Sequence, residues 1–128
     1  MHDNRMQGGY EKLEVYQRSM ALLNDVQAII QQLPREERYD LARQMRRAAK
    51  SIPANIAEGY ARRTSSKEFA RHLRIALGSA NEMEVNIKVA RQLGYVDAER
   101  CNEVIREYVI LGKQLRKLMN YWRSKVDE

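Results

Sequence analysis

The chain has 128 residues, the size of one domain, so a single hydrophobic core is the expectation. Its 44% hydrophobic and 31% charged residues, with 2 Pro and 6 Gly, exclude collagen, disordered tails and nearly every all-β architecture; abundant Lys, Arg, Glu, Gln, Ala, Leu and Met point to helix. The formal charge of +6 favours polyanionic partners without naming one. The lone Cys101 cannot close an intramolecular disulfide, no basic-then-apolar leader precedes Tyr10, and no run approaches the roughly 18 apolar residues of a membrane span, so a cytoplasmic protein with no membrane partner is expected.

Met1 to Gly9 is polar and aperiodic and reads as a flexible N-terminal tail, leaving residues 10–128 as one domain. From Tyr10, the residues Leu13, Tyr16, Met20, Leu23, Val26, Ile30 and Leu33 recur every three or four positions and predict a first helix to about Gln32. Pro34 ends it. Leu41, Met45, Ala48, Ile52, Ile56 and Gly59 predict a second helix over roughly Glu36 to Tyr60. Within it, Pro53 cannot donate to the carbonyl of Ala49, so a kink is expected near Ser51 and Ile52.

Ser65 and Glu68 have capping-box spacing, which starts a third helix near Ser66. Its seam is Phe69, Leu73, Ala76, Ala80, Met83, Ile87 and Ala90, and Gly94 stops it with the geometry of a left-handed cap. Asp97 caps a fourth helix, Ala98 to about Ser124, whose seam is Val104, Tyr108, Leu111, Leu115, Leu118 and Trp122. Four helices of about 35–43 Å at 1.5 Å per residue, joined by short loops, run up and down. The fold class is therefore all-α, an antiparallel up-and-down four-helix bundle.

The stretch Arg46-Arg47-Ala48-Ala49-Lys50-Ser51-Ile52-Pro53-Ala54-Asn55-Ile56-Ala57-Glu58-Gly59 resembles the signature of the four-helix-bundle proteins encoded in the intervening sequences of 23S rRNA genes. Ser66-Lys67-Glu68-Phe69, Leu73-Arg74-Ile75-Ala76, Gly78-Ser79, Asn81-Glu82-Met83-Glu84 and Ala90-Arg91-Gln92-Leu93-Gly94-Tyr95 resemble the family's second block in order and spacing. Tyr10 to Gln17 also fits, with Tyr10 and Tyr16 where Phe and Trp are frequent. The resemblance implies a cytosolic homopentameric bundle with a poorly defined role, no enzymatic activity and no cofactor. It also implies kinship with accessory proteins of diversity-generating retroelements, which bind nucleic acid and a reverse transcriptase.

Nine basic residues (Arg43, Arg46, Arg47, Lys50, Arg62, Arg63, Lys67, Arg71 and Arg74) and two acidic ones give the stretch from Arg43 to Arg74 a net charge of +7. At 100° per residue, Arg43, Arg46, Arg47 and Lys50 fall opposite the second seam, and Lys67, Arg71 and Arg74 opposite the third. Two outward stripes joined by Arg62-Arg63 suit phosphate binding, although an isolated run of charge is commonly a solvated face. Tyr60 beside the loop suits packing or base stacking. A second basic cluster, Lys113, Arg116, Lys117, Arg123 and Lys125, surrounds Tyr121 and Trp122; the place of Trp122 on the seam favours core or interface.

Metal binding fails on ligand count, since only His2 and His72 are present and no Glu precedes His72 by three residues. His72 reads as a surface or interface side chain, Cys101 as an apolar filler, and Ser51, Ser65, Ser66 and Ser79 as caps or helix residues. Asn55, Glu58, Glu82 and Glu84 invite a catalytic account, but a structural polar network around Pro53, Asn55 and Glu84 is the simpler one. Ile75, Gly78, Glu82, Val85 and Val89 form a second stripe on helix three, and Val15, Leu22 and Ile29 one on helix one. One bundle cannot bury both faces, so Val15, Leu22, Ile29, Ile75, Gly78, Val85 and Val89 are expected at an oligomer interface. The leading expectation is a non-enzymatic homo-oligomer binding RNA or DNA. The alternative is a scaffold or accessory subunit for an acidic partner such as a polymerase or nuclease.

Overall fold

The computed structural model describes residues 9–126, so nearly all of the expected tail lies outside the described residues. Four α-helices carry the chain: α1 Glu14–Gln32, α2 Leu41–Ala61, α3 Ser66–Gln92 and α4 Ala98–Ser124. Single 3-10 turns stand at Tyr10–Lys12 and Arg35–Glu37, and no strand occurs among the described residues. Each helix packs on the next in sequence and α1 also meets α4, which closes an antiparallel bundle around one hydrophobic core.

The ends of α3 and α4 follow from local chemistry. Ser65 Oγ accepts the amide of Glu68 at 3.2 Å, while the Glu68 carboxylate turns instead to Arg71. At the far end Gly94 takes φ 72°, its amide reaches the Arg91 carbonyl, and the Tyr95 amide reaches that of Ala90, a Schellman closure. Asp97 then accepts the Arg100 amide at 3.2 Å and opens α4. Every residue of the expected α3 seam is buried, as are Val104, Tyr108, Leu111 and Leu115 of α4.

The first two helices are shorter than their periodicity suggests. The chain enters α1 through a 3-10 turn and an extended Leu13, with the Gln17 side-chain Nε2 donating back to the Glu11 carbonyl at 2.9 Å. After Pro34 a second 3-10 turn delays α2 until Leu41, whose amide is taken by the Glu37 carboxylate. Tyr95 Oη donates to the same carboxylate at 2.8 Å, tying the α1–α2 connection to the α3–α4 connection. The helix α2 then passes through the buried Pro53 as one continuous element; the kink expected at Ser51 and Ile52 does not interrupt it.

The buried face of α1 is Val15, Ser19, Leu22, Val26, Ile29 and Ile30, and Met20 is exposed. This corrects the expected seam, which placed Met20 inside and left Val15, Leu22 and Ile29 for a neighbouring subunit. The misreading has a physical cause. Ser19 occupies a core position because its hydroxyl donates to the Tyr16 carbonyl at 2.8 Å, so a polar residue hides the true period.

Closure of the bundle between α1 and α4 is largely polar at its surface. Arg18 reaches across to Glu107 at 2.7 Å and Gln114 at 3.1 Å, and Arg100 reaches back to Asp25 at 3.2 Å. Clefts of about 470 and 300 Å³ flank the Arg18 bridge. The α2–α3 contact is closer. A Cβ on Gly59 would stand 2.6 Å from His72 Cβ, so the two backbones meet at a distance only glycine permits.

Candidate nucleic-acid interface

The residues of the second-helix signature that suggested chemistry are interlocked between α2 and α3. Asn55 Nδ2 donates to the Ser51 carbonyl at 2.9 Å, and Ser79 Oγ donates to Ser51 Oγ at 3.0 Å. Because the Asn55 amide nitrogen is committed to Ser51, its Oδ1 must accept from His72, whose Nδ1 lies 3.0 Å away. That assigns the proton of a neutral His72 to Nδ1 and leaves Nε2 to accept from Arg71 at 3.3 Å. His72 is thus buried rather than at the surface, and its role is to pin α3 to α2.

The other signature acids are peripheral. Glu58 pairs with Arg62 at 3.5 Å and Glu82 with Arg47 at 3.4 Å, both exposed enough to contribute little stability. Glu84 is half-buried in a groove between α3 and α4 with Lys113 and Arg116, but makes no hydrogen bond among the described residues, so it stands outside the network that holds Asn55. Cys101 is fully buried with its thiol toward the Val96 carbonyl, and burial pushes its pKa up, as an apolar filler requires. Among the described residues, no three His, Cys, Asp or Glu side chains gather as a metal site would need.

All nine cations from Arg43 to Arg74 are exposed. Three spend their charge locally: Arg47 and Arg62 in the pairs above, and Arg71 on Glu68, whose carboxyl pKa is lowered chiefly by that hydrogen bond. The Arg63 guanidinium lies 3.9 Å above the Tyr60 ring and donates to the Tyr60 carbonyl. Tyr60 is therefore buried packing, its ring edge-on to Phe69 and covered by Arg63, and not a platform for a base. Arg43, Arg46, Lys50, Lys67 and Arg74 have no acidic partner among the described residues.

These five are strung along the α2–α3 pair. The pairing of Arg47 with Glu82 and of Asn55 with His72 sets the antiparallel register, which orders them along the axis as Arg43, Arg46, Lys50, Arg74 and Lys67, with Lys50 and Arg74 about one turn apart. Arg74 and Lys67 come last, on the side of the Arg62-Arg63 loop. There they meet Arg123, from the second basic cluster, in a cleft between α3 and α4. Nothing in the sequence joined Arg123 to Arg74; only the antiparallel packing of two long helices does. Trp122 next to it lies half-buried against Phe69, with ring centroids 4.9 Å apart, while Tyr121 is exposed under Lys125.

Beyond Arg74 the outer face of α3 carries an apolar stripe beside the exposed Asn81 and Lys88. Ile75, Val85 and Val89 are exposed, Val85 to 58%, and a Cβ on Gly78 would touch nothing within 4 Å. That half of the expected interface is uncovered in a single chain, whereas Val15, Leu22 and Ile29 are already spent in its core.

A long-helix antiparallel bundle with a glycine-tight α2–α3 seam and a basic outer surface defines the class of protein. The chain belongs to the 23S rRNA-intervening sequence protein family, whose profile matches residues 11–117. A solved protein of unknown function from the S23 ribosomal protein family of Bacteroides thetaiotaomicron shares the fold with a TM-score of 0.74 at 24% identity, over 82% of this chain and 97% of its own. No curated protein is similar in sequence. No described helix is long and apolar enough to cross a membrane.

Proposed function

We propose that this protein is a non-enzymatic, self-associating bundle that binds nucleic acid, RNA foremost, through its basic outer surface. The observation that carries the reading is the set of exposed cations Arg43, Arg46, Lys50, Lys67 and Arg74, none neutralised by an acid among the described residues. A merely solubilising surface gains from charges of mixed sign, whereas unneutralised guanidinium and ammonium groups attract phosphate. The hydroxyl, amide and imidazole groups that could have served catalysis are consumed in joining α2 to α3, which supports a binding role. The uncovered apolar stripe on α3 supports self-association, and several copies would multiply phosphate contacts on one strand.

Titration of a labelled RNA at increasing KCl tests the reading. Each phosphate engaged on a single strand adds about 0.7 to the logarithmic salt slope, so six or more contacts give a slope steeper than about −4. Arg43→Glu with Arg46→Glu should weaken binding at least tenfold and equally across unrelated sequences, while leaving helicity intact. If RNA does not bind and an acidic polypeptide does, the basic surface serves a protein partner instead.

A further inference from the structure

We infer that the cleft between the start of α3 and the end of α4 is a seat for one unpaired nucleotide, with its base on the floor and the neighbouring phosphates on the rim. The inference rests on the nucleic-acid reading and narrows it to a place and a strand type. Three cations form the rim: Lys67 and Arg74 from α3 and Arg123 from α4, exposed and without an acidic partner among the described residues. The floor is the buried Ala70 and Met119, flanked by the exposed Val126, in a cleft of about 370 Å³. Arg71, also at the cleft, is held back by Glu68 at 3.0 Å, so its guanidinium shapes the wall while the other three remain available.

The pairing of these two chemistries selects the occupant. Phosphate alone needs only cations, which the Arg43–Lys50 face of α2 also supplies. An apolar floor ringed by positive charge matches a nucleotide, which carries an aromatic plane and an anion on one short unit. Met119 supplies a polarizable sulfur suited to the edge or face of a ring, and arginine planes stack on bases as well as bind phosphate. The floor also demands an unpaired strand, because bases inside a duplex are stacked away from the protein surface. Duplex RNA would meet the rim only.

Fluorescence anisotropy with the full chain and 5′-labelled 20-residue oligouridylate, against a duplex RNA of equal length, tests the assignment. Wild type should prefer the single strand. Arg74→Gln with Arg123→Gln should lower single-strand affinity at least tenfold and flatten its salt slope by about 1.4, the loss of two phosphate contacts. Arg43→Gln with Arg46→Gln should weaken both strand types alike and keep the preference. Since Arg74 and Arg123 hold no acidic partner among the described residues, circular dichroism and the melting temperature should not move. Wild-type single-strand affinity in the Arg74→Gln, Arg123→Gln variant would overturn the cleft while leaving the basic-surface reading standing. Failure of wild type to bind either RNA would overturn both. Competition by polyglutamate as effective as that by oligouridylate, lost in the same double variant, would overturn the nucleotide seat and make the cleft a site for an acidic peptide.

Discussion

At Gly59 a single hydrogen decides how near two helices come. Alanine there would gain about 1 kcal/mol of helix propensity, but its Cβ would press on His72 Cβ at 2.6 Å and Phe69 Cδ1 at 2.9 Å. Neither neighbour can swing aside, because His72 is held by Asn55 and Phe69 is packed against Tyr60 and Trp122. Overpacking of this kind costs about 1–3 kcal/mol, so Gly59→Ala should lower the urea midpoint with a net loss of up to about 2 kcal/mol. Tyr108 is the opposite case, a buried phenol whose Oη has no hydrogen-bond partner among the described residues. Burial raises its pKa above the ordinary value of 10.0. The folded state therefore keeps the proton that the unfolded chain begins to release near pH 10, and stability falls as pH rises past that point. Tyr108→Phe should match or exceed wild type at pH 7, since no hydrogen bond is lost, and should flatten the alkaline limb. Denaturant titrations of both proteins at pH 7 and pH 10.5 check the sign.

Among the elements, α3 and α4 are the ones whose bounds agree with the sequence, although the α4 seam ends on the buried Met119, with Leu118 and Trp122 only half-buried. Ser65, Gly94 and Asp97 each satisfy a backbone group that nothing else could reach, and such signals are local. Gly94→Ala forces a Cβ into φ 72° and should cost about 1–2 kcal/mol, read as a lower melting temperature, with Gly94→Asn recovering part of it. The first helix was harder to read because Ser19 sits where the period calls for an apolar residue, satisfied by a carbonyl three residues back. Its start was hidden too, since Leu13, which precedes Glu14, has no capping side chain and no Gly or Pro separates the turn at Tyr10–Lys12 from the helix. The polar network was half visible: Asn55 lay near an apolar face, but its partner His72 is 17 residues away on another helix. The cleft was not visible at all, for Arg74 and Arg123 are brought together only by the antiparallel register of α3 and α4.

At the level of the whole molecule, the outer face of α3 begins with the cations Lys67, Arg71 and Arg74 and continues with an apolar stripe of Ile75, Val85 and Val89 around Gly78. In an isolated chain Gly78→Ala should stabilise by about 1 kcal/mol, because the new methyl meets nothing within 4 Å. If copies associate across this face, the same methyl stands between them. The expected outcome is a higher unfolding free energy per chain together with weaker assembly, and Val85→Glu should abolish assembly outright. Light scattering at micromolar concentration reads both, and a wild-type monomer would remove the case for self-association. The polar bridge between α1 and α4 has a consequence in time. Its contacts join residues 75 to 96 positions apart, whereas the α2–α3 and α3–α4 contacts, between neighbours in sequence, are more extensive than those α1 makes with α2 or α4. During synthesis α1 emerges first yet must wait for Glu107 and Gln114 before its outer edge is held, so the three later helices form the early-folding unit. The same order run backwards makes α1 the first part to open. Its amides should exchange with deuterium well before those of α3, and raised salt, which screens Arg18 and Arg100, should widen the gap.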